Sequence, residues 1–288
     1  MEGFYHLTVK MIGRSSGQAI VASAAYRAGE ILRDERYGKT YDYSPRRGIH
    51  HKGILAPENA PDWALSRELL WNRVEARENR KDAQLAREFE LALPHQISLK
   101  ERSMMVETFI REQLIPHGMV VDYAIHAPNR RGDQRNWHAH LLTTLRPLEG
   151  GDLSALKDRD ACKPEMIHQW REAWAEIQNR TFERLDLRDE TGNPLRVDHR
   201  SFLARGIDRE PTQHMGVHAT AMERKGEITD RGDQNRAITA LNENRIHRRV
   251  SQFVTRDEIS DAFERPGKYR PERSSRVDKD GPGDRDLS

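Results

Sequence analysis

The chain holds a single cysteine, Cys162. A disulfide framework and a cysteine-built zinc site are therefore excluded, and a reducing cytoplasmic setting fits. No apolar run approaches the ~18 residues of a membrane span, so insertion into a bilayer is not expected. The opening MEGFYHLTVKMIG has no apolar stretch long enough for a secretory signal. No internal repeat is visible. Excess charge is also scarce: 48 basic against 46 acidic side chains leave +2 at pH 7. Bulk charge thus does not announce a nucleic-acid partner, and local clusters have to carry that argument.

What is present is 288 residues, 36% hydrophobic and 33% charged. That length allows one large domain or two small ones. Residues 4–12 (FYHLTVKMI) alternate and read as a strand. A GRSSGQ turn follows, with Ser15 or Ser16 as a possible cap. The alanine-rich 19–32 reads as a helix. Residues 34–55 suggest a hairpin, and Pro45, Pro57 and Pro61 disfavour long helices nearby. Residues 62–86 read as one or two charged helices whose apolar stripe is Leu65, Leu69, Leu70 and Val74. EFELALP (88–94) reads as a strand. Residues 98–115 read as a helix capped by Ser98, with Glu101 completing a capping box. Strands are expected at 119–126 and 137–147, antiparallel across a polar loop. A helix spans 162–187, with Ile167, Trp170, Trp174 and Ile177 on its apolar face. Residues 198–216 are turn-rich, 230–265 are helical, and the chain from Pro266 has little to bury. These elements suggest an α+β fold, one sheet with helices on a face.

Strand alternation turns His138 and His140 to one side. His126 closes the preceding strand, so pairing would bring three imidazoles together. Three such nitrogens can hold a divalent ion and leave positions open for chemistry. The same residues also fit partly exposed strand histidines beside a core. Glu88 and Glu90 share one strand face and could accept ring N–H bonds, or simply face solvent. Tyr26 lies in the small-residue helix ASAAYRAG, where a packed aromatic is the ordinary reading. A phenol with a pKa near 10 is ionised about once in a thousand at neutral pH, so a nucleophilic role needs a cation or metal nearby. Arg27 points elsewhere on the helix, and nothing local joins Tyr26 to the histidines.

The motifs together resemble the MobA/MobL relaxases of mobilisable plasmids. YHLTVKMIGRSSGQAIVASAAYRAGEIL (5–32) is similar to that family's first strand and tyrosine helix. EFELALP is similar to its second marker, and YAIHAP (123–128) with NWHAHLL (136–142) to its histidine triad. DHRSFLARGIDREPTQHMG (198–216) resembles a segment of TraA-type conjugative transfer proteins. The resemblance implies an antiparallel sheet flanked by helices, of the HUH-endonuclease type. It places the nucleophile on Tyr26 and metal ligands on His126, His138 and His140. Active-site carboxylates fall on Glu88 and Glu90, and the ion would be Mn²⁺ or Mg²⁺.

The implied reaction is nicking of single-stranded DNA at a transfer origin through a 5′-phosphotyrosyl intermediate, followed by rejoining. Arg46 and Arg47 beside His50 and His51, then Arg130, Arg131 and Arg135, then Arg205 and Arg209, are candidate DNA contacts. Relaxosome accessory proteins and a coupling protein are the implied partners. The expected layout is a relaxase domain at 1–220, a charged helical extension at 221–265 and a disordered tail at 266–288. No GxxxxGK[ST] motif is present, which leaves both a stand-alone mobilisation protein and a shortened transfer protein open. A rolling-circle replication initiator, a non-catalytic DNA-binding accessory protein and a hydrolytic metalloenzyme are the competing readings.

Overall fold

Alternating β-branched and long apolar side chains make strand β1 (Leu7–Gly13) the start of the ordered core. The computed structural model describes residues 5–17, 19–130 and 132–253. Helix α1 (Ile20–Ala28) follows. Neither serine caps it, because Arg14–Ser16 form their own 3₁₀ turn. The Ile20 N–H is instead accepted by Glu75 Oε1 at 3.3 Å. The helix stops at Gly29, before the expected end at residue 32. Gly29 has φ 60°, and a Cβ there would lie 2.5 Å from Ile49 Cδ1. Only glycine meets both demands at low cost.

Strands β2 (Ile31–Asp34) and β3 (Lys39–Asp42) pair with each other. β4 (Ile49–Leu55) leaves them for the main sheet. The expected 34–55 hairpin is thus a shorter, earlier hairpin plus an edge strand, because β4 finds its partner far away in sequence. α2 (Asp62–Leu65) and α3 (Arg67–Arg77) are broken by extended Ser66. That break corrects the expected stripe. Leu70 and Val74 are buried, whereas Leu65 and Leu69 are 52% and 49% exposed, and Trp71 takes the inward position. β5 (Gln84–Leu93) starts earlier than expected.

Ser98 Oγ accepts the Glu101 N–H at 3.2 Å and caps α4 (Leu99–Phe109). The Glu101 carboxylate pairs with Arg184 instead of closing the capping box. A wider π turn over Ile110–Leu114 then leads toward β6 (Val121–His126) and β7 (Trp137–Thr143). β8 (Leu148–Glu149) and β9 (Asp152–Leu153) form a small hairpin, and α5 (Pro164–Arg184) follows.

The main sheet has the order β1-β5-β7-β6-β4, and every neighbouring pair is antiparallel. Helices cover both of its faces, which corrects the one-sided expectation. Phe89, Leu91, Ile125 and Leu141 pack under Phe109 of α4 and Trp170 and Trp174 of α5. Ala86 and Leu142 pack under Ile20 and Ala24 of α1 and Leu70 and Trp71 of α3. The physical reason is visible in β6, which is buried at every position. A strand buried on both sides needs two covering layers.

An ion pair crosses the second of these cores. Asp122 accepts from Arg67 Nη2 at 2.7 Å and from Trp71 Nε1 at 2.9 Å, with Arg67 8% and Asp122 5% exposed. Those bonds fasten α3 to β6.

A second compact unit begins at Arg200. It contains α6 (Gly216–Glu223) and α7 (Asp230–Phe253). Asn242 holds Glu210 by both backbone groups, accepting at 2.9 Å and donating at 2.8 Å. The expected helix at 230–265 is present as far as Phe253. Its remainder and the expected tail at 266–288 lie outside the described residues. Among the described residues no helix is long and apolar enough to cross a membrane.

Candidate functional site

The register of three strands builds the site. β6 sets His126 opposite His138, and β5 sets Glu90 opposite His140. Residues two apart on a strand share a side, so three rings and two carboxylates converge. The imidazole centroids are 5.4, 5.0 and 5.1 Å apart. One ring nitrogen from each of His126, His138 and His140 lies within 4.8 Å of the others.

The hydrogen bonds of the rings decide what those nitrogens can do. His126 Nε2 lies 2.8 Å from the Arg27 carbonyl oxygen. His138 Nδ1 lies 3.0 Å from the Asn136 carbonyl oxygen, and His140 Nδ1 lies 2.8 Å from Glu88 Oε1. Carbonyl and carboxylate oxygens only accept, so each of these nitrogens carries the proton. In a neutral ring so held, the other nitrogen keeps its lone pair. Burial pushes His126 down to about 3, against a smaller opposite pull from the Arg27 carbonyl. Burial likewise lowers His138. Neutral imidazoles with fixed tautomers fit a divalent ion, and outer acceptors of this kind hold ligands in place.

Glu88 is the junction of the site. Besides His140 it accepts from Arg27 Nε at 2.6 Å. Its burial favours the neutral acid, but bonds from His140 and Arg27 outweigh that and hold it at about 2. Glu90 faces His140 and takes a longer bond from Lys10 Nζ at 3.4 Å. The two carboxylates therefore differ in position: Glu88 lies under His140, and Glu90 lies beside it.

Arg27 is the residue that sequence reasoning passed over. It points away from Tyr26, as expected, and toward Glu88. Its side chain bonds Glu88 while its carbonyl accepts from His126, so one residue of α1 grips β6 directly and reaches His140 of β7 through Glu88 of β5. Nothing local in the sequence signals this, because both contacts come from distant strands.

Tyr26 is 47% exposed on the same helix. Its ring meets Tyr43 edge-on at 5.2 Å. The Arg46 guanidinium lies 3.7 Å from the ring centroid and donates to the Tyr26 carbonyl at 2.5 Å. Of the expected DNA contacts, Arg46 is thus brought against the tyrosine. Arg47 and Arg130 are exposed. Arg135 is exposed and held by Asp133 at 2.8 Å. Arg131 lies outside the described residues. Arg205 and Arg209 belong to the second unit, where Arg209 faces the Phe202 ring at 5.3 Å. His50 packs edge-on against Trp137 at 5.2 Å, and His51 bonds Tyr123 Oη at 3.1 Å. Trp137 also has Arg102 over its ring at 3.9 Å, so it packs and does not line the histidine cluster.

Residues 18–225 match a family model described as the MobA/MobL family. The chain belongs to the MobA/MobL family. The matched span contains Tyr26, Glu88, Glu90 and all three histidines. Conjugal transfer protein TraA of Rhizobium radiobacter is 35% identical over 246 residues, covering 77% of this chain and 22% of that protein. Mobilization protein MobL of Acidithiobacillus ferridurans is 31% identical over 250 residues, covering 77% and 64%. This MobA/MobL chain thus spans 22% of the TraA relative's length. A solved structure reported as the molecular basis of vancomycin resistance transfer in Staphylococcus aureus shares 32% identity. Its TM-score is 0.60, over 69% of this chain and 99% of that one.

Proposed function

We propose that this MobA/MobL chain is the nicking and joining unit of a plasmid relaxase, built on an HUH-type site. The observation that carries the reading is the cluster of three histidines, two of which Arg27 ties to the tyrosine helix, His126 directly and His140 through Glu88. The DNA is a single strand at a transfer origin. The Tyr26 Oη attacks the scissile phosphorus, a new P–O bond forms and the bond to the 3′ oxygen breaks. The phenol loses its proton and the departing 3′ oxygen gains one. The products are a 5′-phosphotyrosyl link and a free 3′-hydroxyl. The reverse attack by a 3′-hydroxyl rejoins the strand without another energy source.

His126, His138 and His140 would hold a divalent ion. Such an ion supplies charge opposite the phosphate oxygens in the transition state. Imidazoles without thiolates suit Mn²⁺ better than Mg²⁺. Glu88 positions His140 and Arg27. Arg46 fixes the Tyr26 ring and adds positive charge where the phosphate must sit. Arg47, Arg130, Arg131, Arg135, Arg205 and Arg209 serve as contacts to the DNA backbone. In this reading the relaxase domain spans 1–220 and acts in the cytoplasm beside relaxosome accessory proteins and a coupling protein.

The test is incubation of the protein with labelled origin oligonucleotide and Mn²⁺. A covalent adduct that disappears in Tyr26→Phe supports the proposal. Cleavage that persists in Tyr26→Phe refutes it and points to hydrolysis by the histidine centre.

A further inference from the structure

Tyr26 sits in the last turn of α1, and the closing carbonyls of that helix show how the turn is held. An α-helix leaves its last four carbonyls without partners inside the helix. In α1 they belong to Ala25, Tyr26, Arg27 and Ala28. Ala25 accepts from the N–H groups of Gly29 and Glu30, just beyond the helix. The other three accept from side chains distant in sequence. Arg46 donates to Tyr26 at 2.5 Å, and the His126 ring to Arg27 at 2.8 Å. The third donor is Lys52, whose Nζ lies 2.9 Å from the Ala28 oxygen. Lys52 takes part in none of the chemistry above.

Strand phase aims this lysine. His51 turns to Tyr123 and Glu107 on one side of β4. Lys52 is the next residue and turns to α1 on the other side. The Glu30 carboxylate meets its ammonium at 2.8 Å. Glu30 is also held by Arg67 at 2.6 Å, and Arg67 by the buried Asp122 at 2.7 Å. A chain of alternating charges thus runs from β6 and α3 to the end of the tyrosine helix. That end carries partial negative charge, so a cation there stabilises it as well as aligning it.

Three donors from three places, the β3–β4 loop, β4 and β6, therefore grip one helical turn. Two anchors leave a helix end free to pivot about the line between them. A third stops the pivot. His126 ties the turn to the histidine cluster, and Lys52 ties it to the edge strand of the sheet.

We infer that Lys52 is a positioning residue for strand nicking, acting through the Ala28 carbonyl to hold Tyr26 in line with the phosphate. In this role it meets neither DNA nor ion. The consequence for Tyr26 rests on the nicking reading, whereas the anchoring of the turn does not.

Two measurements on the full chain test this. Lys52→Met keeps the aliphatic stem and removes the donor, and Lys52→Arg restores a cationic donor. The first measurement is hydrogen exchange without DNA. The amides of residues 27–30 should exchange roughly 5- to 10-fold faster in Lys52→Met. The effect is at the low end for a bond to a charged group because Lys52 is 37% exposed, and water recovers part of it. The amides of β5 should exchange as in the parent. The second is single-turnover adduct formation with labelled origin oligonucleotide and Mn²⁺. At saturating DNA the rate should fall roughly 10- to 100-fold, as expected for a nucleophile displaced by about 1 Å. The half-saturating DNA concentration and its salt slope should stay as in the parent, and Lys52→Arg should regain most of the rate.

A parent-like rate in Lys52→Met overturns the positioning role. So does a loss confined to the half-saturating concentration with a salt slope lower by about 0.7, which would make Lys52 a phosphate contact. Faster exchange in β5 as well, or an equal loss of rate in Lys52→Arg, would reduce Lys52 to general support of the fold and overturns it too. No adduct from the parent chain would sink the nicking reading, while hydrogen exchange still shows whether Lys52 anchors the helix.

Discussion

Replacing Glu88 by glutamine removes one charge from the centre and keeps its shape. In the native site Oε1 accepts from His140 at 2.8 Å and from Arg27 at 2.6 Å. Glu88 is 7% exposed, so water does not take over either bond. A hydrogen bond to a charged group contributes about 1.5–3 kcal/mol and a neutral one about 0.5–1.5. Two bonds downgraded together cost roughly 2–3 kcal/mol, or about 5–10 °C in Tm for a domain of this size. The larger functional effect is on ligand orientation. Loss of an outer partner typically weakens metal binding ~10- to 100-fold. Calorimetric titration of Mn²⁺ into Tyr26→Phe, with and without Glu88→Gln, measures this directly without DNA. Glu88→Gln should bind Mn²⁺ more weakly by that factor, and excess Mn²⁺ should restore adduct formation when Tyr26 is intact. Unchanged Mn²⁺ affinity alongside lost adduct would refute the reasoning. Glu88 would then act on the DNA and not through His140.

Further expectations follow from residues outside the centre. Asp122→Ala takes the bidentate partner from the buried Arg67 cation and leaves it only Glu30 at 2.6 Å, at a cost of up to about 3–5 kcal/mol. Differential scanning fluorimetry should show a Tm drop of roughly 6–20 °C, whereas an unshifted Tm would mean that α3 is not held by this pair. The Glu30 carboxyl is half-buried, which raises it, yet bonds from Lys52 and Arg67 lower it below its usual 4.5 overall. A carboxyl depressed by folding adds stability above that value and loses it as pH falls. Chemical denaturation of Glu30→Gln from pH 7 down to acid should therefore give a shallower acid decline than the parent. Gly29→Ala forces a side chain into positive φ and against Ile49. It should cost about 1–3 kcal/mol and slow adduct formation by shifting the last turn of α1, with circular dichroism melts and single-turnover gels as the two readouts.

Much of the local structure was legible because its cause is local. Alternation revealed β6 and β7, and a loop between them implied their antiparallel pairing. Ser98 before a helical run revealed the start of α4. The aromatic stripe Trp170, Trp174 and Ile177 is buried as its helical spacing demanded. Failures came where a distant element decided the outcome. Leu65 and Leu69 fit a helical stripe, but the break at Ser66 turned them out to solvent. Residues 49–55 looked like half of a hairpin until β6 claimed them. α1 ended at Gly29 because Ile49 fills the space beyond it.

By itself the sequence determined that His138 and His140 share a side, that Tyr26 sits on a small-residue helix, and that no cysteine-built metal site exists. Those follow from strand and helix periodicity and from composition. Only the tertiary structure decided that His126 completes the cluster, because register between strands is a property of the assembled sheet. It also separated Glu88 from Glu90, two residues with the same strand phase, by placing one beneath His140 and giving the other to Lys10. The link between tyrosine and histidines is tertiary for the same reason. Arg27 reaches Glu88 and His126 only once α1 lies across the sheet, so no window of the sequence contains both ends of the bond.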